Sequence, residues 1–192
     1  AYDDYRPALY VYLVVPFVKF MGLTPLSVRF PSIILSLVAV YLLYGIGRLL
    51  SKFYTRLQYL GEVAAFTLAI SPWHIYISRL GHESNVGFTL TIAGVYALLL
   101  FILEKKPWQL VYAAGWFGLS LHGYQSQKLI EPVLLATTAL LYWKECMKEW
   151  KKFLIAGVVF LILTIPAAHV TLTGSGLSRL KGTSAFSQDA PI

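Results

Sequence analysis

The chain predicts an all-α fold, a polytopic integral membrane bundle of about six transmembrane helices with an interfacial helix at the N-terminal end. Three observations lead there. Of its 192 residues, 57% are hydrophobic and only 13% charged, with a mean hydropathy of +0.64, whereas a soluble domain carries roughly a quarter charged residues. Apolar runs approaching membrane length recur along the chain, and the basic residues fall in short clusters between them.

Crossing the hydrocarbon as a helix takes about 20 apolar residues. Six segments come close: residues 32–50, 60–77, 86–103, 108–121, 129–143 and 153–170. The fourth and fifth are short enough to form a helical hairpin meeting only part of the bilayer. Before them, residues 7–20 are apolar but shorter and contain Pro16, which suits an interfacial or re-entrant helix. Pro31 is expected in the first turn of the 32–50 span, and Pro132 at the head of the fifth. Glycines 94, 115 and 118 suit close helix packing.

Six spans put both termini on one side. The clusters Arg48, Lys52 and Arg56, then Lys105 and Lys106, then Lys144, Lys148, Lys151 and Lys152 share the other, giving nine of the 16 Lys and Arg there against seven opposite. The positive-inside rule therefore assigns the nine to the cytoplasm. The formal net charge of +7 follows from these lipid-facing loops rather than from a nucleic-acid surface, so membrane lipids are expected partners and nucleic acid is not. The single cysteine, Cys146, excludes an intramolecular disulfide. No metal-ligand spacing, phosphate-binding glycine loop or nucleophile elbow is present.

The residues on the non-cytoplasmic side differ in kind. Asp3, Asp4, Arg6, Arg29, Arg79, His82, Glu83, Lys128 and Glu131 carry both signs of charge near the ends of the segments. Together with Tyr2, Tyr5, Tyr124 and Trp73 they are expected to converge on one outward-facing cavity, where ionisable groups in membrane proteins tend to serve function. Each cluster also has a plain structural reading. In DDYRPALYVYL, Arg6 offers a planar fork for phosphate, or the segment is a hydrated loop with Pro7 starting a helix. In SPWHIYISRLGHESN, Arg79 and Glu83 are four apart and can pair on a helix, while His74 and Ser78 share a face. Glu83 or His82 handles a proton there, or the segment is an interhelical turn. Arg29, two residues before Pro31, binds an anion or snorkels to headgroups. HGYQSQKLIEP sets His122, Tyr124, Gln125, Gln127, Lys128 and Glu131 between apolar segments, either facing a ligand or as a loop. Glu62 reads as an interfacial residue that reaches water.

The order of the motifs is more specific than any one of them. DYRPALYVYLVVPFVKFMGLTPLSVRFPS, then SPWHIYISRLGHESN, then YQSQKLIEPVLL resembles polytopic glycosyltransferases of the C superfamily. The closest group is that of bacterial and archaeal relatives of dolichyl-phosphate-mannose protein mannosyltransferases and of the lipid A aminoarabinose transferase. The first stretch matches an acidic–aromatic pair, a basic residue, Pro-Pro-Leu-Tyr and a Val-Arg-Leu-Pro-Ser, here with Ala8 in place of the second proline and Phe30 in place of the leucine. The others match a Ser-Pro-Trp-His, a Ser-Arg with a following acidic residue, and a Tyr-x-x-x-Arg-Leu-x-x-Pro, with Lys128 replacing the arginine.

The resemblance implies transfer of a sugar from a polyprenyl-phosphate carrier to an acceptor protein or glycolipid, at the non-cytoplasmic face of a bacterial or archaeal plasma membrane. It implies Asp3, Asp4 and Glu83 as catalytic acids, with Arg6 at the carrier phosphate. Arg29, Arg79, His82, Tyr124 and Lys128 would bind substrate. A divalent cation is left open, with no metal site assigned. It further implies that residues 1–192 are part of a single transmembrane glycosyltransferase domain, with the first membrane helix, the first outer loop that carries the family's principal acid, and any C-terminal domain lying outside it. Two rival readings are a transporter or flippase for an anionic lipid or solute, and a non-catalytic subunit of the same fold.

Overall fold

A computed structural model describes residues 7–172. Among the described residues there are nine α-helices and no strand: α1 (Leu9–Met21), α2 (Pro25–Phe53), α3 (Leu60–Ile70), α4 (Pro72–Leu80), α5 (Glu83–Glu104), α6 (Trp108–Ser120), α7 (Gln127–Leu141), α8 (Trp143–Lys148) and α9 (Trp150–Leu172). Every apolar run of the sequence is helical. Three helices, α2, α5 and α9, are each long and apolar enough to cross a membrane unaided. The expected 60–77 span is broken. Ser71 is extended (φ −61°, ψ 120°) between α3 and α4, because Pro72 disfavours the helical conformation in the residue before it.

The first span, expected at residues 32–50, also starts earlier than expected. Thr24 caps α2 through a reciprocal pair, its Oγ1 accepting the Ser27 N–H at 3.2 Å while Ser27 Oγ accepts the Thr24 N–H at 3.0 Å. Pro25 opens the helix. Pro31 thus lies inside α2 rather than in its first turn, and Arg29 is helical. Pro132 likewise lies inside α7, which begins at Gln127.

Helices α2, α5, α6 and α9 pack in series, with α1, α3 and α4 against α2. The core is built from small and aromatic groups, with Ala97, Ala113, Ala114 and Ala156 buried around Phe101 and Phe117. With lipid outside as apolar as the interior, close backbone approach is what holds such helices together. A Cβ on Gly94 would fall on the Phe117 ring, and one on Gly118 would lie 2.7 Å from Leu163. Gly115 faces only an ordinary contact with Val159 at 4.0 Å. Gly47 meets the backbone of Gly61 and Leu60 on α3. Gly47→Val is therefore expected to force α2 and α3 apart and to lower stability by about 1–3 kcal/mol, read as a fall in Tm of the detergent-solubilised protein. An unchanged Tm would show that the two helices separate freely.

Polar groups join α2 to α5. Asn85 Nδ2 lies 2.8 Å from Ser32 O, Ser32 Oγ and Ser36 Oγ, and Thr89 Oγ1 reaches Leu35 O at 3.2 Å. Each such bond contributes about 1 kcal/mol in a membrane interior.

The basic clusters gather at one end of the bundle. Glu104 accepts from Lys52 at 2.8 Å and from Lys106 at 2.5 Å, Arg48 pairs with Glu62 at 3.3 Å, and Lys105 with Glu145 at 3.8 Å. Apart from Glu104 these side chains are well exposed, so the pairs tie helix ends and loops together and stabilise little.

Candidate functional site at the opposite end

The other end of the bundle is where α1, the start of α2, the α4–α5 junction, the α6–α7 turn and the end of α9 meet. Tyr10 on α1 donates to Val28 O on α2 at 2.8 Å. Gly81, left-handed at φ +70° and ψ +46°, ends α4 against the same pair. A Cβ there would lie 2.9 Å from Tyr10 Oη and 3.6 Å from Arg29 Cα, so glycine is required both for its backbone angle and for space.

This turn undoes the expected Arg79–Glu83 helical pair. Arg79 closes α4 and Glu83 opens α5, so they no longer share a helical face, and no ion pair joins them among the described residues. Arg29 and Arg79 are both exposed. Glu83, with its side chain 16% exposed, sits at the positive end of α5, where a carboxylate is favoured.

His82 is the N-cap of α5, its Nδ1 accepting the Ser84 N–H at 3.1 Å. The same Nδ1 lies 2.9 Å from Ser84 Oγ and 4.0 Å from Glu83. Edge-on to His82 is Tyr124, with ring centroids 6.0 Å apart. His82, Glu83 and Tyr124 thus form one cluster.

That cluster borders a cavity of about 390 Å³ between α4, α5 and the start of α7, lined by Trp73, His74, Asn85, Phe88, Tyr124 and Gln127 among others. A second cavity of about 320 Å³ lies between Pro7–Leu9, the α6–α7 turn and α9, and takes in Lys128 and His122. His122 Nε2 lies 2.8 Å from Leu163 O. Since a carbonyl only accepts, Nε2 carries the proton. The α6–α7 turn lines both cavities, so Lys128 and the His82–Glu83–Tyr124 cluster face different spaces and the single cavity expected from sequence is divided. Asp3, Asp4 and Arg6, with Tyr2 and Tyr5, lie outside the described residues.

Glu131 is corrected as well. It faces no cavity at the outer end but is fully buried between helices, its Oε1 accepting from Thr91 on α5 at 2.5 Å and from Ser120 on α6 at 2.9 Å. Its position in the chain pointed to the outer surface. The signal that it turns inward is helical spacing, since Glu131 is one turn from Gln127, which is itself buried. Cys146 is buried too, and burial with neighbouring Glu145 raises its thiol pKa, which makes it a poor nucleophile. Among the described residues no three His, Cys, Asp or Glu side chains gather as a metal site.

A helical bundle with three helices long and apolar enough to cross a membrane, ion-paired basic clusters at one end and two cavities beside mixed charges at the other is that of an integral membrane protein. The model of the dolichyl-phosphate-mannose-protein mannosyltransferase family matches residues 5–169, and the chain belongs to that family. It is a membrane glycosyltransferase in general class. No curated protein and no solved structure matches the chain.

Proposed function

We propose that the chain belongs to the transmembrane domain of an enzyme that moves a sugar from a polyprenyl-phosphate carrier to an acceptor hydroxyl on the non-cytoplasmic side. The observation that carries this reading is the gathering of Arg29, Arg79, His82, Glu83, Tyr124 and Lys128 at the end opposite the lysine-rich loops. The positive-inside rule assigns those loops to the cytoplasm, so the site faces away from it.

The reaction is an inverting displacement. A carboxylate takes the proton of the acceptor hydroxyl, the oxygen bonds to the anomeric carbon, and the bond from that carbon to the carrier phosphate oxygen breaks with its electrons leaving on the phosphate. Glu83, between His82 and the cavity-lining Ser84, is the described residue suited to hold that proton, with Asp3 and Asp4 as the other acidic participants. Arg6, adjacent in the chain to the cavity-lining Pro7, and Lys128 are assigned to the departing phosphate, where cations stabilise the developing charge. Lys128 supplies charge without the guanidinium fork. Arg29 and Arg79, exposed at the membrane surface, are placed to guide the anionic carrier in.

Turnover with a radiolabelled polyprenyl-phosphate sugar tests the assignment. Glu83→Gln is expected to lower kcat by about 10²–10⁴, the usual worth of a general base, with little change in KM for the carrier. Arg6→Ala is expected to weaken the carrier instead. Full activity in both variants would sink these roles, and ion-coupled transport without sugar transfer would favour the transporter reading.

A further inference from the structure

Among the described residues three buried side-chain atoms lack a hydrogen-bond partner: His74 Nε2, Gln127 Oε1 and Glu131 Oε2. Two of the three belong to residues that line the same space, the 390 Å³ cavity between α4, α5 and the start of α7. Gln127 is only 8% exposed, and a buried amide oxygen without a donor is costly. The cavity is in the size range that holds small ligands.

The rest of the lining narrows the ligand. None of the lining residues is Asp, Glu, Lys or Arg, so nothing there neutralises an anion or a cation. Aromatic faces are supplied by Trp73 and by Phe88, which sits 6.0 Å from the His74 ring. Neutral hydrogen-bonding groups come from Ser71, His74, Ser84, Gln127 and Tyr124. An acyl chain would leave Gln127 Oε1 unpaired. A ligand with an apolar face and several hydroxyls satisfies both kinds of wall at once.

We propose that this cavity is a subsite for the uncharged pyranose ring of a substrate, with Gln127 and His74 reading its hydroxyls and Trp73 covering its face. The assignment rests on reading the chain as a glycosyltransferase, and it separates sugar recognition from the Lys128 cavity. Glu83, next to the Ser84 wall, then stands at the rim where the anomeric carbon would lie.

The test uses the protein in nanodiscs. Tryptophan fluorescence is titrated with methyl α-mannopyranoside, a neutral probe that lacks carrier and phosphate. A saturable change is expected in the native protein, lost in Trp73→Phe and shifted to about tenfold weaker binding in Gln127→Met and His74→Phe, as for a lost hydrogen bond. Trp73→Ala, at an exposed position, serves where a buried substitution misfolds. In transfer assays the same variants are expected to lose about tenfold in kcat/KM, while sugar-free polyprenyl phosphate inhibits all of them equally.

A donor subsite raises the KM for the lipid-linked sugar, and an acceptor subsite raises that for the acceptor glycan alone. Variants that transfer like the native protein, or that lose sugar-free carrier in equal proportion, would overturn the subsite and leave a hydrated cavity only. A native protein that binds the pyranoside but transfers from no lipid-linked donor would keep the subsite and sink the carrier reading instead.

Discussion

Gly123→Val is expected to abolish sugar transfer and to lower Tm. A Cβ at Gly123 would lie 2.7 Å from Gly87 N and 2.9 Å from Gly87 Cα. Both partners are backbone, so no rotamer change relieves the overlap and the α6–α7 turn has to leave α5. Overpacking of this kind costs about 1–3 kcal/mol. Function suffers more, because Tyr124 and Gln127 are held in the cavity wall by that turn. Gly87→Ala provides a graded comparison. Its Cβ would meet Gln127 Nε2 and Tyr124 Cβ at 3.1 Å, which a few tenths of an ångström of movement relieves, so a partial loss of activity with a nearly native Tm is expected. Equal, mild effects in both variants would show that the turn is not wedged against α5.

Glu131→Ala is expected to destabilise the bundle by about 2–4 kcal/mol, chiefly through the buried cavity it leaves, since Thr91 and Ser120 keep Gly87 O and Phe117 O as acceptors. Thr91 and Ser120 come from different helices, so Glu131 is a bridge from α7 to both α5 and α6. Glu131→Gln keeps the shape and one acceptor oxygen, and is expected to stay close to native in Tm and turnover. No Lys, Arg or His pairs with Glu131 among the described residues, and a carboxylate so placed would be costly to hold charged. Thermal unfolding of both variants in one detergent decides the matter. A Gln variant as unstable as the Ala variant would mean that the negative charge itself is needed.

The sequence showed the outer-end cluster only in outline. Arg29, Arg79, His82, Glu83, Tyr124 and Lys128 were legible because each sits where an apolar run ends, and run endings are a local property. His74 and Gln127 were visible as polar residues of those stretches, yet nothing local distinguished them from their neighbours as cavity walls. His82 reads as a proton-handling group, and the capping of α5 by its Nδ1 was not legible in the local pattern. Thr24 followed by Pro25 was a helix-start signal available to reading, and it would have moved the start of α2 to Pro25.

By itself the sequence determined that this protein is a helical membrane bundle, where most of its apolar helices fall, and which ends of the apolar runs carry basic clusters and which carry mixed charge. Run length, proline position and charge clustering act over neighbouring residues, so they can be read without knowing what packs against what. The tertiary structure alone decided that Glu131 turns inward to Thr91 and Ser120, that Asn85 grips Ser32 and Ser36, that Gly123 rests on Gly87, and that the outer end holds two cavities in place of one. Most of those contacts join residues far apart in the chain. Which face of a helix meets a partner depends on every other helix competing for the same space, and no local pattern encodes that outcome.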